Sequence, residues 1–412
     1  MKLKLSVRWN IELIIAWLFL TPQINYYLAN FLDMYGIPTA TPFIYSVAVF
    51  LGCVSYGQTL KTRQGMLFTW ILIMLIVSST LVNDQALGYM FNANIIQSNV
   101  LLLVLLYFPV FLLFLQRIDL EVLMKYLWRG SLITLLLTIV VFVTLLSSRS
   151  SVDYMSFAYM MLSPIMICFI EGWRKKGVLL AFPVIASGIL FVIGCRGAVV
   201  ALAVFFVLCF FRFYLKGGRK GNRLFLKAAL LIAVIIAGLN MNSILRIIVG
   251  ELNTFGFSSR TVEKILLGNG EFMQSKGRQS IWNQAVGSIG IFGKGLFGDR
   301  TVLLDEYHNP TYPHNFILEI MIDFGMIVGS ILVLLFFFLI IRALLIALKS
   351  GEIQRIQMAF AMLAVIFVKH MVSMSFLTSF DFWFYIGLAM NWFIYRDDYF
   401  HSEIEQEGTR FI

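Results

Sequence analysis

Long apolar runs recur along the chain, separated by short polar breaks. They fall at 10–29, 42–60, 66–83, 95–115, 126–147, 152–171, 177–194, 197–215, 225–242, 314–341, 356–377 and 380–395. Each is near the ~20 residues that a helix needs to cross a hydrocarbon layer. A closed helix satisfies its own backbone polar groups in lipid, so the pattern predicts an all-α, polytopic membrane protein of about twelve transmembrane helices. SSRSSVD, ahead of the sixth run, and GCRG, ahead of the eighth, read as hinges of helical hairpins. The predicted division places helices one to nine in 1–242, a large loop with short helices in 243–313, the last three helices in 314–395 and a tail in 396–412. Within the loop, SILRIIVGEL (243–252) and GRQSIWNQAVGSI (277–289) read as short helices, the first amphipathic, and IFGKGLFGD (291–299) reads as a Gly-rich turn.

Composition agrees with the pattern: 60% of the 412 residues are apolar and 13% charged. The net charge of +10 raises nucleic acid as a partner. The basic residues, however, cluster between apolar runs, where they act as topology signals. Lys2, Lys4, Arg8, Lys61, Arg63, Arg117, Lys125, Arg129, Arg174, Arg342, Lys349, Arg355 and Arg396 fall on one side, while the opposite loops 30–41 and 83–94 carry no Lys or Arg. The basic side is then cytoplasmic, with both termini inside and the 243–313 loop periplasmic or extracellular. MKLKLSVRW followed by an apolar run resembles a signal peptide without a small-x-small cleavage site, so it reads as an uncleaved anchor. Cys53, Cys168, Cys195 and Cys209 fall in or beside apolar runs and predict no disulfide framework.

The candidate chemistry centres on TYPHNFILEIMIDFGMIVG (311–329), which closes the polar interval and opens a helix. Pro313 suits a helix start, and His314 and Asn315 come next at the boundary. Steps of five and four place His314, Glu319 and Asp323 roughly along one side. Charges in an apolar run are costly, so this helix start should face protein or water rather than lipid. Arg149, Asp153, Arg196, Arg278, His308, Lys369, His370 and Asp381 are expected at the same outer face. Several cations with a few carboxylates suit an anionic substrate, because guanidinium forks grip phosphate oxygens. Each residue has a structural alternative: Arg196 pairing with Asp153 or Asp381, Lys369–His370 pairing with Asp381 or Asp323 to hold the bundle, His308 shaping a loop. No zinc-type spacing and no acidic metal cluster is evident, GKGLFG lacks the phosphate-loop spacing, and no metal or cofactor is predicted.

Three segments carry a resemblance. CRGAVVAL (195–202) opens a run with an Arg-Gly pair, GRQSIWNQAV leads into GKGLFG, and PHNFILEIMIDFGMIVG sets His-Asn ahead of a helix with Glu and paired glycines. Their order resembles the O-antigen ligase/O-antigen polymerase (Wzy) superfamily, over roughly 190–330. The resemblance implies a membrane glycosyltransferase that takes a glycan from a polyprenyl (undecaprenyl) diphosphate carrier to an acceptor hydroxyl on the outer face, without metal and with inversion. By motif position it implies His314 as general base and Arg196 and Arg278 as diphosphate ligands. Lys369 and His370 are expected to add to substrate binding, with Asn315, Glu319, Asp323 and Asp381 in support. The expected role is repeat-unit polymerase in O-antigen, capsule or exopolysaccharide synthesis in the cytoplasmic membrane, with a flippase and a chain-length regulator as candidate partners. The alternatives are a ligase acting on lipid A–core or another terminal acceptor, and a transporter or flippase.

Overall fold

The computed structural model describes residues 10–37, 41–91, 99–148, 153–175, 178–193, 195–214, 276–305 and 307–396. Among these residues β pairing is confined to one isolated bridge between Leu304 and Pro310, and every other regular element is helical. The helices are α1 (Ile11–Met34), α2 (Thr41–Thr59), α3 (Arg63–Val82) and α4, which runs from Asn99–Leu102 through a π-helical Leu103–Tyr107 into Phe108–Leu113. Then come α5 (Leu120–Ser148), α6 (Tyr154–Lys175), α7 (Ala181–Ile193) and α8 (Arg196–Cys209). They are followed by α9 (Lys276–Ser288), the one-turn α10 (Asp299–Val302) and α11 (Phe316–Ser350). α12 (Ile353–Leu363) continues through a π-helical Ala364–Lys369 to Val372, and α13 is Phe380–Ile394.

Every predicted run within the described residues carries helix; the ninth (225–242) and the 243–252 segment lie outside them. Among the described residues five helices are long and apolar enough to cross a membrane: Arg63–Val82, Leu120–Leu145, Met155–Gly172, Phe316–Ser350 and Ile353–Val372. α1 packs along α5 and against α2 and α6, and α13 packs on α11 and α4. Asn391 of α13 ties this last contact by donating to the Phe114 and Gln116 carbonyls at 2.8 and 2.7 Å.

The bundle has two chemically different ends. At one, Arg174 bridges Glu121 (3.1 Å) and Glu171 (2.7 Å), Gln354 donates to Glu171 (3.0 Å), and the Asp119 amide donates to Glu12 (3.0 Å). Arg117, Lys125 and Arg355, which the charge alternation groups on one side, belong to this end by the same helix directions. The opposite end gathers the starts of α6, α8, α11 and α13 with α9 and α10. Here Ile281, Ala285, Leu303 and Ile322 form a small apolar core of their own, separate from that of the bundle.

α11 is broken at Gly325, whose φ of 78° and ψ of 172° lie far outside the helical region. A break leaves carbonyls and amides of the two half-helices without intrahelical partners. The Gly-rich turn takes them up. The Lys294 and Gly295 amides donate to the Ile322 and Asp323 carbonyls, both at 2.9 Å, and the Met326 amide donates to the Gly290 carbonyl at 2.8 Å. The approach is backbone to backbone: a Cβ on Gly293 would stand 2.1 Å from the Asp323 carbonyl oxygen, and one on Gly325 would stand 2.5 Å from the Gly293 nitrogen.

Gly325→Ala is therefore expected to lower stability by on the order of 1–3 kcal/mol from backbone strain alone, with the steric conflict adding to it. Gly287→Ala, in open space on α9, is expected to be neutral or stabilising by up to about 1 kcal/mol. Thermal unfolding of the two variants in detergent checks the contrast; equal melting temperatures would contradict it.

Candidate functional site

His314 does not join the helix. Asn315 is the N-cap of α11, with extended backbone and a side chain that accepts from the Ile317 (3.0 Å) and Leu318 (3.2 Å) amides. The helix starts at Phe316, so the expected alignment of His314 with Glu319 and Asp323 along one helix side is corrected. The reason is the cap: an Asx oxygen satisfies the first free amides only from outside the helix. His314 itself is left-handed, with φ of 54°, a costly conformation for a residue with a Cβ and one that recurs at functional sites. Its ring lies 4.2 Å, centroid to centroid, from that of Tyr312.

The segment is held from α9. Trp282 Nε1 donates to the Pro313 carbonyl at 2.7 Å, immediately before His314. Arg278 lies four residues earlier, on the same helix face, which is the physical content of the Arg-x3-Trp spacing. The Arg278 charge acts on His314, Tyr312, Tyr159 and Cys195. Among the described residues Arg278 has no carboxylate partner. Cys195 precedes α8 as its N-cap, and Arg196 occupies the first helical position. Gly197 comes next because Tyr159 covers it: a Cβ there would stand 2.1 Å from the Tyr159 hydroxyl. The Arg-Gly element, the Arg-x3-Trp helix and the His-Asn start thus meet at one end of the bundle.

The imidazole of His314 is pushed down from 6.5 to about 4, first by burial and then by the charges of Arg278 and Arg300. A general base read from sequence carries a near-neutral value; burial of the ring, with two guanidinium charges acting on it, overrides that value. His314 is therefore a neutral ring at physiological pH. Its Nδ1 is buried with no hydrogen-bond partner among the described residues.

Arg300 is a site residue that the sequence motifs do not single out. It lies just past the Gly-rich turn, and the available signal is the Asp299–Arg300 charge pair closing that turn. Arg300 bonds Asp299 at 3.0 Å, stands 3.9 Å from Glu319, and lies over the rings of Phe297 (4.8 Å) and Tyr312 (5.5 Å). Asp299, Glu319 and Asp323 are buried, with oxygens within 4.8 Å of one another. The sequence shows no acidic cluster because Asp299 comes from the turn and the other two from α11; the fold builds one. These three could in principle hold a cation, but their oxygens have other partners. Asp323 accepts the Phe297 (3.3 Å) and Asp299 (3.0 Å) amides, Glu319 accepts Ser375 Oγ and the Phe376 amide (3.0 Å), and Asp299 accepts Arg300. Oδ2 of Asp299 is the exception, buried without a partner. Glu319 thereby fastens the 373–379 loop, between α12 and α13, to the start of α11.

Lys369, His370 and Asp381 lie beyond that loop and are fully buried. Lys369 pairs with Asp381, which also accepts Ser163 Oγ at 3.1 Å, and His370 Nε2 sits 3.2 Å from Ser379 Oγ. Lys369 Nζ lies 5.5 Å from the Tyr159 ring centroid, so one aromatic layer separates it from the Arg278 environment. The pairing that the sequence leaves as the structural alternative for Lys369 is the one present. His308 is exposed and shapes a turn whose Asp305 side chain accepts the Tyr307 and Asn309 amides, both at 2.8 Å. Arg149 lies outside the described residues.

Residues 181–334 match the O-antigen ligase family model, a match that supports the resemblance to the O-antigen ligase/polymerase superfamily. With its apolar helices, this points to a multi-pass protein of the inner membrane. No curated protein and no solved structure matches the chain. The matched stretch contains Arg196, Arg278, Arg300, His314, Glu319 and Asp323, and ends before Lys369, His370 and Asp381.

A buried charge that loses its partner costs about 3–5 kcal/mol. Lys369→Ala is expected to destabilise the protein by that order, while Lys369→Met combined with Asp381→Asn recovers most of it, since an amide still accepts from Ser163. Melting temperatures in detergent read the difference; an unchanged melting temperature for Lys369→Ala would assign Lys369 to substrate instead.

Proposed function

We propose that the chain is a membrane glycosyltransferase that polymerises glycan repeat units carried on polyprenyl (undecaprenyl) diphosphate, at the periplasmic or extracellular face of the membrane. The observation that carries this reading is His314, held outside its helix with a neutral ring between Arg278 and Arg300. The two arginines form the anion-binding side of the site, and Arg196, whose backbone opens α8 at the same end, is proposed to add to it. Arg278, with no carboxylate partner among the described residues, is the cation with most to gain from a diphosphate.

In this mechanism an acceptor hydroxyl attacks the anomeric carbon of the donor from the face opposite the diphosphate. Its proton passes to the His314 imidazole, the new glycosidic bond forms, and the carbon–oxygen bond to phosphate breaks. The carrier diphosphate leaves with an added negative charge that the guanidiniums stabilise. Backside attack inverts the anomeric configuration. Arginines supply the positive charge at the leaving group, so the reading calls for no metal.

The depressed basicity of His314 belongs to the mechanism. A diphosphate bound at Arg278 and Arg300 offsets their charge, which favours the imidazolium and raises the ring from about 4 back toward its ordinary 6.5. The base is then weak in the empty site and strengthened once a donor is in place.

A ligase acting on lipid A–core or another terminal acceptor uses the same chemistry and differs only in acceptor. A transporter reading would rest on Lys369 and His370, both fully buried. A flippase and a chain-length regulator remain candidate partners of the polymerase.

With purified protein, a polyprenyl-diphosphate-linked repeat unit and a chelator, a ladder of products is expected. His314→Ala should lower turnover by on the order of 10²–10⁴-fold with little change in donor binding, and Arg278→Ala should weaken donor binding as well. A ladder undiminished in His314→Ala would remove the general-base assignment, and a single transfer product to lipid A–core would identify the ligase. Activity requires neutral His314, so it falls as pH drops through the ring's pKa. The acid limb of kcat, which reports the donor complex, is expected at higher pH than that of kcat/KM, which reports the free enzyme. Coincident limbs would mean that donor charge does not reach His314.

A further inference from the structure

The sequence assigns residues 243–313 to a loop on the outer side of the membrane. The structure assigns part of it to lipid: we propose that the tip of the Gly-rich turn, Ile291–Phe292, enters the leaflet on the His314 side of the bundle and anchors the site at the boundary between headgroups and acyl chains. This does not depend on the polymerase reading.

The first observation is exposure. Phe292 is 86% and Ile291 61% exposed, side by side at the tip of a turn whose other side is fastened to α11. Two large apolar side chains held away from the protein mark a contact surface.

The second is what they adjoin. The Met326 amide bonds the Gly290 carbonyl at 2.8 Å, and a Cβ on Gly325 would stand 2.5 Å from the Ile291 carbonyl oxygen. The tip therefore continues directly into Met326 and Ile327, the first exposed apolar residues of the long half of α11, whose stripe runs on through Ile331 and Leu334. That half, residues 326–350, spans about 37 Å at ~1.5 Å per residue, enough by itself for a hydrocarbon layer of about 30 Å. The break at Gly325 then falls near the edge of the layer, and the turn bonded to it shares that depth.

The third is polarity. Lys294, exposed just past the tip, is placed to lay its stem along apolar surface and hold its ammonium among lipid phosphates. The amides beyond the tip, Lys294 and Gly295, are already bonded to α11, as backbone at membrane depth requires. A protein partner would have to cover the tip together with the adjoining stripe of α11, a surface that lipid already occupies in any membrane-spanning arrangement.

The test is depth. Phe292→Cys is made in a chain carrying Cys53→Ser and Cys209→Ser, with the buried Cys168 and Cys195 left in place, and labelled with an environment-sensitive fluorophore. The protein is reconstituted into vesicles whose lipids carry bromine near the top of the acyl chains. Labels at Ile327→Cys, on the α11 stripe, and Tyr307→Cys, in the exposed 305–309 turn, serve as the references. The expected result is bromolipid quenching at 292 comparable to that at 327, with blue-shifted emission and loss of quenching by aqueous iodide. Quenching by iodide and not by bromolipid, as at 307, would overturn the proposal. Ile291→Cys repeats the measurement if the 292 variant does not reconstitute. Turnover plays no part in the readout, so failure here leaves the glycosyltransferase reading standing, and the reverse also holds.

Discussion

The structure at the His314 end depends on one break in one helix. At Gly325 the backbone leaves the helical region, and the freed amides and carbonyls must find partners or bear the cost of burial unbonded. The Gly-rich turn supplies them through Lys294, Gly295 and Gly290. Only glycines allow the two backbones so close, and the closeness sets where the chain emerges from the turn: Asp299 and Arg300 arrive beside Glu319 and Asp323. A defect in a helix thus becomes the coordinate origin of a charged site.

The bundle is legible in the sequence because bilayer thickness imposes a length on apolar runs, and that length is visible residue by residue. The short elements around the site are partly legible. The Arg-x3-Trp spacing predicts a helix over 277–289, and Lys276–Ser288 is one. Reading Pro313 as the helix start puts His314 inside the helix, whereas the capping side chain of Asn315 sets the start at Phe316. Arg300 and the carboxylate cluster are illegible because their neighbours are distant in sequence. Glu319 meets Ser375 and Phe376 across the bundle, and no periodicity links α11 to the 373–379 loop. Lys369 and His370 are placed by depth alone, and depth does not reveal that a carboxylate already answers the lysine.

The cations at this end fall into two kinds. Lys369 and Arg300 each face a buried carboxylate, Asp381 and Asp299. Such pairs contribute little net stability once desolvation is counted, but they fix geometry, since either partner alone would be a costly buried charge. Arg278 is the other kind: it lies partly exposed on α9, and its charge is felt by His314, Tyr312, Tyr159 and Cys195, with no carboxylate partner among the described residues. The carboxylates fix where Lys369 and Arg300 stand, and Arg278 adds a positive charge that no carboxylate among the described residues meets.

That division bears on the proposed activation of an acceptor hydroxyl beside so much positive charge. In the empty site the guanidiniums disfavour a proton on His314, and the same field favours any anion that enters. In the proposed mechanism, donor binding and base strength are therefore two consequences of one field with opposite signs, and the donor reverses the second by satisfying the first. Arg300 can serve in this way only if its own carboxylate does not cancel it, and the geometry allows that: Asp299 takes one guanidinium nitrogen, Nη1, while the Tyr312 and Phe297 rings hold the guanidinium plane without neutralising its charge. Glu319, at 3.9 Å, is held by the Ser375 hydroxyl and the Phe376 amide. The carboxylates thus orient the arginine while leaving its charge to act on the ring of His314.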